Sequence, residues 1–305
     1  MELTYFRNKQ KMKFALILLL SCGLFLLGIF VGVYEIPPYQ LIKNVKNTIF
    51  SNNQLSNERL KKFDVCELTK INSFNIKSHV FIGHAYGSPI KTTQESFISQ
   101  NVLSFIRKNS EKISTLIFTG DVFDVPSIDK WKRLRSEVGK NLDIFIAPGN
   151  HDVGRPDSND VFKMSEFGLQ NYPYLKYLDK TPLIMDDSTH SNWVVSNATI
   201  NLINNVDSEL VVIARHHSPI NDLISFVNSK AYKSNDLQSV EELTQKFNKN
   251  TSYYWIIGDS GAFEHMPRLT CLAYKNHKFL LNGLGSVEGD SIILFNNQKF
   301  LEHVL

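Results

Sequence analysis

The chain has 305 residues, of which 43% are hydrophobic and 21% are charged, so it is long enough to bury a substantial core as one large domain or two small ones. Its net charge of +3 is small and thinly spread, which argues against a nucleic acid partner. The three cysteines, Cys22, Cys66 and Cys271, lack the close pairing of a zinc ribbon or a redox motif, so we exclude both kinds of site.

The first predicted element is a membrane-spanning helix. Residues 14–34 form an unbroken run of 21 residues without a formal charge, which is long enough to cross a bilayer. Residues 1–13 hold four basic side chains and one acidic one, so we expect a cytoplasmic basic tail and an extracytoplasmic remainder. A cleaved signal peptide would have a shorter apolar region and a small-x-small site, which "GVYEIPP" does not supply. The sequence therefore predicts a single-pass membrane protein with an uncleaved anchor.

A juxtamembrane linker is predicted next. Residues 35–75 are polar and lysine-bearing, and Lys43 and Lys46 would lie near anionic headgroups. This leaves residues 76–305 as the main domain. Outside the membrane, Cys66 and Cys271 are able to form a disulfide, but two buried free thiols explain them as well.

Beyond the linker, short apolar strands alternate with helical segments. The strands are "HVFIG", "TLIFTG" and "DIFIAPG". Residues 92–109 open with Thr92 and Glu95 in capping-box spacing and continue with helical apolar spacing, and a second helix is predicted over about residues 127–138. This alternation predicts an α/β fold with a largely parallel sheet, which binds its ligands at the carboxyl ends of the strands.

Polar side chains follow four of the predicted strands. The groups are Asp121 with Asp124, Asn150 with His151 and Asp152, His216 with His217 after "LVVIA", and Asp259 after "YYWIIG". We expect them to meet at one edge of one sheet. Carboxylate, amide and imidazole groups together indicate a metal site.

These motifs resemble a known family. "GDVFD", "GNHD" and the later "HH" are similar to the calcineurin-like metallophosphoesterase superfamily, whose pattern runs DxH, GDxxD, GNHD or GNHE, a single His, and GHxH. The resemblance spans about residues 78–296, because "FLLNGLGSVEGDSIIL" is similar to the closing strand of the family. It implies a β-sandwich flanked by helices, preceded in this chain by the transmembrane helix.

The resemblance also implies two metal ions bridged by Asp121. By position, one ion would take Asp121, Asn150, His216 and Asp259, with His217 as the alternative histidine. Asp259 stands where the family has the first histidine of GHxH.

The other ion has lost part of its ligand set. Its DxH pair is replaced by His84 and Tyr86, and Gly261 replaces the last histidine of GHxH, so Asp121 and His84 remain as the obvious ligands. Tyr86 is able to ligate a ferric ion as a phenolate, but we favour a hydroxyl that hydrogen-bonds phosphate or fills space. A histidine and an aspartate have thus changed places between two loops, which keeps the number of such ligands unchanged. We expect one or two divalent transition-metal ions (Mn, Zn or Fe), the first held tightly and the second weakly or not at all.

The catalytic residues implied by the resemblance are His151 and Asp152. His151 would hydrogen-bond the substrate phosphate and assist departure of the leaving group, oriented by Asp152. Asp124 would support the loop or a ligand, and Arg155 is either a bidentate phosphate contact or a surface arginine. The implied activity is metal-dependent hydrolysis of a phosphate mono- or diester.

The substrate is constrained only by the expected topology. An outward-facing site on a membrane anchor suits a phosphorylated small molecule, lipid or glycan of the cell envelope. The alternative is a catalytically degenerate metallophosphoesterase-fold binding module in an envelope assembly, because the ligands of one ion are altered. The metal content of the purified domain would distinguish the two.

Overall fold

The computed structural model describes residues 60–75, 77–88, 95–139, 141–154, 156–190, 192–226, 237–260, 268–286 and 288–305, together with Ser21. Arg59–Leu305 forms one compact unit. The predicted span at residues 14–34 lies outside the described residues apart from Ser21. Of the helices in the described part of the chain, none combines the length and apolar character needed to cross a bilayer.

The described part of the chain contains thirteen strands in two sheets. The strands are β1 (Asp64–Val65), β2 (Thr69–Ile71), β3 (Ser78–Ile82), β4 (Ile113–Phe118), β5 (Asp143–Ile146), β6 (Tyr174–Leu178), β7 (Thr181–Met185), β8 (Leu210–Arg215), β9 (Ser252–Ile257), β10 (Leu269–Tyr274), β11 (His277–Asn282), β12 (Ser291–Asn296) and β13 (Lys299–Val304). The seven-stranded sheet has the order β1-β10-β11-β9-β8-β7-β6, and the six-stranded sheet has the order β2-β13-β12-β3-β4-β5.

The two sheets face each other across an apolar layer. Phe81 and Ile117 of the six-stranded sheet pack in one buried cluster with Met185, Val212 and Ile256 of the seven-stranded sheet. Both faces of these strands are covered, which is why they read as continuous apolar runs. The β-sandwich that the family resemblance implies is therefore confirmed. The single sheet inferred from the strand pattern is wrong, because strands buried on both faces carry no pattern that assigns them to one sheet or the other.

Helices cover the outer faces of the sandwich. The six-stranded sheet packs against side chains of α1 and α2, and the seven-stranded sheet packs against α5 and α6. The helices within the described residues are α1 (Gln100–Asn109), α2 (Ile128–Val138), α3 (Asn150–Val153), α4 (Pro156–Met164), α5 (Asn197–Asn204) and α6 (Val240–Thr244), with 3-10 turns at Ser110–Lys112, Glu166–Leu169 and Asn221–Phe226. The α/β class and the helix-flanked sandwich agree with the fold that the resemblance of the motifs implies.

The first helix begins later than its sequence predicts. Thr92 lies outside the described residues, Glu95 is in a turn, and α1 starts only at Gln100. The amide of Ser99 donates a hydrogen bond to the carbonyl of Ala85 at 2.7 Å. This bond ties the chain ahead of α1 to the loop after β3, and it holds Ser99 in a non-helical conformation.

Residues 60–75, which the sequence assigns to the linker, take part in this unit. β1 pairs with β10, and β2 pairs with β13. Cys66 and Cys271 form a disulfide with their Cα atoms 5.0 Å apart, so the disulfide, and not a pair of buried free thiols, is the correct alternative for these cysteines. The short segment that precedes the first motif loop is thus fastened to both sheets.

The carboxyl ends of the parallel strands converge at one end of the sandwich. β3, β4 and β5 run parallel in one sheet, and β7, β8 and β9 run parallel in the other. At that end a Cβ on Gly258 would lie 1.7 Å from the carbonyl oxygen of Thr119, so only glycine permits the approach. The loops after β4 and β9, which belong to different sheets, are therefore in contact.

Candidate active site

Two histidines and two aspartates meet where the sheets converge. His84 follows β3 and Asp121 follows β4, while His216 follows β8 and Asp259 follows β9. The Nε2 atoms of His84 and His216 lie 3.2 and 3.4 Å from Oδ2 of Asp121. The same nitrogens lie 3.7 and 3.9 Å from Oδ1 of Asp259. All four side chains are buried.

The spacing of these four groups fits one transition-metal ion. Two ligand atoms about 2.1 Å from an ion are separated by about 3.0–3.4 Å at octahedral or tetrahedral angles. The ligand atoms of His84, His216 and Asp259 all lie within 4.8 Å of one another. Nε2 of His216 is buried and has no hydrogen-bond partner among the described residues. Two imidazoles and two carboxylates are also a donor set that suits Zn, Fe or Mn.

The Asp121 carboxylate is aimed by the backbone of the "GNHD" segment. The amide of His151 donates to Oδ1 of Asp121 at 3.0 Å, which leaves Oδ2 facing the imidazoles. A Cβ on Gly149 would lie 2.2 Å from the same Oδ1. The glycine of this motif is therefore required by the close approach of Asp121.

The charges of the cluster are interdependent. Burial alone would raise the pKa of Asp121, but the imidazoles of His216, His151 and His84 hold it well below its ordinary value. Burial likewise favours a neutral His216, but Asp121 and Asp259 raise its pKa to about 9. Protons on imidazole thus balance the buried carboxylates, and an ion entering the cluster would replace one.

Asn150 and His217 form a separate pair beside this cluster. Oδ1 of Asn150 lies 3.2 Å from Nε2 of His217, and Nδ1 of His217 lies 3.0 Å from the hydroxyl of Ser188. Trp193 stacks on the ring with 4.7 Å between centroids. We predicted His216 as the histidine that joins Asn150, with His217 as the alternative. The structure brings His217 to Asn150, because the ring of His216 turns towards Asp121.

His151 is oriented by Asp124 rather than by Asp152. Its Nδ1 lies 3.1 Å from the carboxylate and 2.9 Å from the carbonyl oxygen of Asp124. Asp152 instead accepts hydrogen bonds from the amides of Val122 and Gly149. The predicted role of Asp152 is corrected accordingly: this carboxylate is fully buried and fixes the two motif loops against each other.

Tyr86 places a buried hydroxyl beside the same groups. The residue is 2% exposed, and its ring lies 5.0 Å from that of His84 and 5.5 Å from that of His151. The hydroxyl has no hydrogen-bond partner among the described residues. Burial, reinforced by Asp121 and Asp124, raises the pKa of Tyr86 well above its ordinary value, so the group is a neutral donor.

Several supporting residues have no motif of their own. Nδ1 of His216 is held by the carbonyl of Thr119 at 3.0 Å. Arg215 is fully buried, forms an ion pair with Asp186 at 3.0 Å, and donates to the carbonyl of His217. A charge ending the apolar strand "LVVIAR" is the one sequence signal for this pair, because a buried arginine requires a partner. Arg155 and Gly261 lie outside the described residues.

Comparison with known families extends these observations. The model of the calcineurin-like phosphoesterase family matches residues 96–257, more than half of the 305-residue chain. The matched region contains Asp121, Asn150, His151, His216 and His217, whereas His84, Tyr86 and Asp259 lie outside it. A comparison with curated proteins found no significant match.

Proposed function

The chain belongs to the calcineurin-like phosphoesterase family, and on that basis we propose that it hydrolyses a phosphate mono- or diester with a divalent transition metal at the cluster of His84, Asp121, His216 and Asp259. The observation that carries the proposal is the convergence of two imidazole nitrogens on Oδ2 of Asp121 at 3.2 and 3.4 Å. The backbone amide of His151 binds the other oxygen of the same carboxylate. A divalent ion bound there would polarise the phosphoryl group and activate water.

His151 is proposed to act on the phosphoryl group or the leaving oxygen. Both neighbours of its Nδ1 are acceptor oxygens of Asp124, so Nδ1 carries a proton and donates. Although burial favours the neutral ring, Asp121 and Asp124 raise the pKa of His151 to about 10. At neutral pH the ring is charged, and its Nε2–H is able to stabilise or protonate an oxygen that gains negative charge.

Tyr86 is proposed to donate a hydrogen bond to a phosphoryl oxygen. A buried hydroxyl without a partner costs about 1–3 kcal/mol, and a substrate oxygen would remove that cost. Its neighbours, His84 and His151, place it between the proposed metal ligand and the proposed acid. In this proposal the neutral phenol takes over charge stabilisation where the family has a second set of metal ligands.

We also propose that residues 14–34 anchor the chain in a membrane and that residues 76–305 face outward. The charge-free run and its basic flank support the anchor and its orientation. The disulfide between Cys66 and Cys271 gives independent support, because disulfides persist in oxidising compartments outside the cytoplasm. A reporter fused after Leu305 that is active only in the cytoplasm should stay inactive, and strong activity would contradict the orientation.

Hydrolysis of aryl phosphate mono- and diesters by the metal-loaded protein tests the proposed chemistry. Activity should disappear when a chelator removes the ion and return when Mn²⁺, Zn²⁺ or Fe²⁺ is restored. Asn141→Ala serves as a control, since Asn141 is exposed and precedes β5 at its amino end. A protein that binds metal but releases no aryl alcohol from either ester would favour the alternative of a degenerate binding module.

A further inference from the structure

We propose that a groove beside the candidate active site binds a neutral, hydroxyl-rich group belonging to the phosphate ester. The groove has a volume of about 550 Å³. This inference rests on the proposed function and specifies which organic group the substrate carries.

The groove opens at the same end of the sandwich as the candidate active site. One wall comes from the segment after β5, which includes Val153 and Tyr172, and the other from the segment after β7, which includes Asp186 and Ser196. β5 is parallel to β4, and β7 is parallel to β8. Both walls therefore continue from the carboxyl ends of strands that neighbour those carrying Asp121 and His216.

The groove is joined to the candidate active site by one connection along the chain and by one series of polar contacts. Val153 lines the groove and lies two residues after His151 in α3. On the opposite wall, Asp186 pairs with Arg215, which directly precedes His216 and holds the carbonyl of His217. The groove and the proposed phosphoryl position are thus connected through α3 on one wall and through the Asp186–Arg215 pair on the other.

The carboxylates of the groove are already engaged. Asp186 is paired with Arg215 and accepts from the hydroxyl of Thr199 at 2.7 Å. Asp187 contacts Nδ1 of His190 at 2.6 Å and accepts from the amide of Thr189 at 2.8 Å. Arg215 neutralises the charge of Asp186, and the oxygens of Asp187 are already occupied by Thr189 and His190, so neither carboxylate is open to an amine of the ligand. Lys163 at the edge of the groove suits a ligand that also carries phosphate.

The remaining polar lining consists largely of amides. Asn159, Gln170 and Asn171 line the groove, and each amide offers donors and an acceptor to adjacent hydroxyls. The hydroxyl of Tyr172 is engaged with the carbonyl of Ile146, so this residue contributes its apolar ring. Uncharged donor and acceptor pairs beside a ring match a polyol or sugar better than an acyl chain or a second carboxylate.

The double variant Asn159→Ala/Asn171→Ala tests the groove, with Asn141→Ala as the matched amide control. We would compare an aryl phosphate, which has no hydroxyls to bind, with a hexose phosphate. Each lost hydrogen bond of about 1 kcal/mol lowers binding about fivefold, so the double variant should raise the KM for the hexose phosphate about 25-fold. The KM for the aryl phosphate should stay unchanged, and the control should change neither. Equal effects on both substrates would overturn the proposal, and so would the absence of any effect on these two substrates and on vesicles containing phosphatidylinositol.

Two further arms separate sources and causes of failure. Vesicles containing phosphatidylinositol present similar hydroxyls from a lipid headgroup. If the double variant loses activity only on the vesicles, the bound group belongs to a lipid. If it loses activity only on the hexose phosphate, the bound group belongs to a soluble sugar or glycan. Calorimetric binding of the hexose phosphate does not depend on turnover. If wild type hydrolyses neither ester but binds the hexose phosphate in a groove-dependent way, the proposed hydrolysis fails and the groove stands.

Discussion

The two sides of the candidate active site differ in how far their polar atoms are satisfied by the protein itself. On one side, the Nε2 atoms of His84 and His216 face carboxylate oxygens of Asp121 and Asp259 across 3.2 to 3.9 Å. On the other, His217 already contacts both Asn150 and Ser188. The first side gathers negative charge that needs a cation or protons, whereas the second side is held together by neutral contacts. We therefore expect the tight ion on the first side.

The two adjacent histidines show the same contrast in their protonation. Asp121 and Asp259 overcome the effect of burial and raise the pKa of His216 to about 9. Burial, together with the charges of His216 and Arg215, lowers the pKa of His217 well below its ordinary value. Of these two neighbouring residues, His216 thus carries a charged ring and His217 a neutral one. The environment, and not the residue type, decides which of the two histidines must lose a proton before its ring can bind a metal.

The largest effect is expected from Asp121→Asn, which removes the carboxylate common to the whole cluster. Metal binding should fall below detection, and turnover should fall at least about 1,000-fold, because several kcal/mol of transition-state stabilisation depend on the ion. Elemental analysis measures the bound metal, and release of aryl alcohol from the mono- and diester measures turnover. Asp143→Asn, at an exposed carboxylate on the amino end of β5, is the control. A full equivalent of metal in Asp121→Asn would disprove the central role of this residue.

His151→Gln should separate catalysis from metal binding. Loss of a positioned acid typically lowers turnover about 100- to 10,000-fold. The metal content should remain that of wild type, since the side chain of His151 contacts Asp124 and not the cluster. Loss of the ion together with activity would show that His151 is a ligand instead.

Metal affinity should depend steeply on pH. His216 has an ordinary pKa of 6.5 and a folded pKa of about 9, so the ion must displace a proton at neutral pH. Affinity should rise about tenfold per pH unit up to pH 9 and then level off. The stability of the metal-free protein should change in the opposite direction, falling as the pH rises. The charged ring of His216 stabilises the fold fully below pH 6.5, and that contribution is lost as the pH rises through about 9. Titrations at several pH values, with urea unfolding of the metal-free protein, test both. An affinity that does not change with pH would contradict the proposed competition.

The smallest effect is expected from Tyr86→Phe, which should lower the activity but raise the stability of the protein. Loss of one hydrogen bond to phosphate should lower kcat/KM about fivefold. Removal of a buried hydroxyl that lacks a partner among the described residues should raise the free energy of unfolding by about 1 kcal/mol. Kinetics and denaturant unfolding measure the two. Lower stability together with unchanged kinetics would mean that the hydroxyl has a structural partner.

The sequence predicts the motif residues better than their neighbours. Asp121, Asn150 and His151 follow apolar strands in a recognisable order, so their meeting at strand ends could be expected. The division between the two sheets could be expected only from the family resemblance, because strands covered on both faces show no alternation. The sequence also could not predict that Asp124, and not Asp152, contacts His151, since each carboxylate is the last residue of a motif and only packing selects one. Arg215 with Asp186 joins segments 29 residues apart, and no local pattern predicts such a pair.

A count of bound ions in wild type and two variants tests the central claim most directly. The purified domain of wild type should hold one tight transition-metal ion per chain, His84→Ala should hold none, and Asn150→Ala should still hold one. This result would place the ion with His84, Asp121, His216 and Asp259. Two tight ions in wild type, or a loss in Asn150→Ala as complete as that in His84→Ala, would contradict the account.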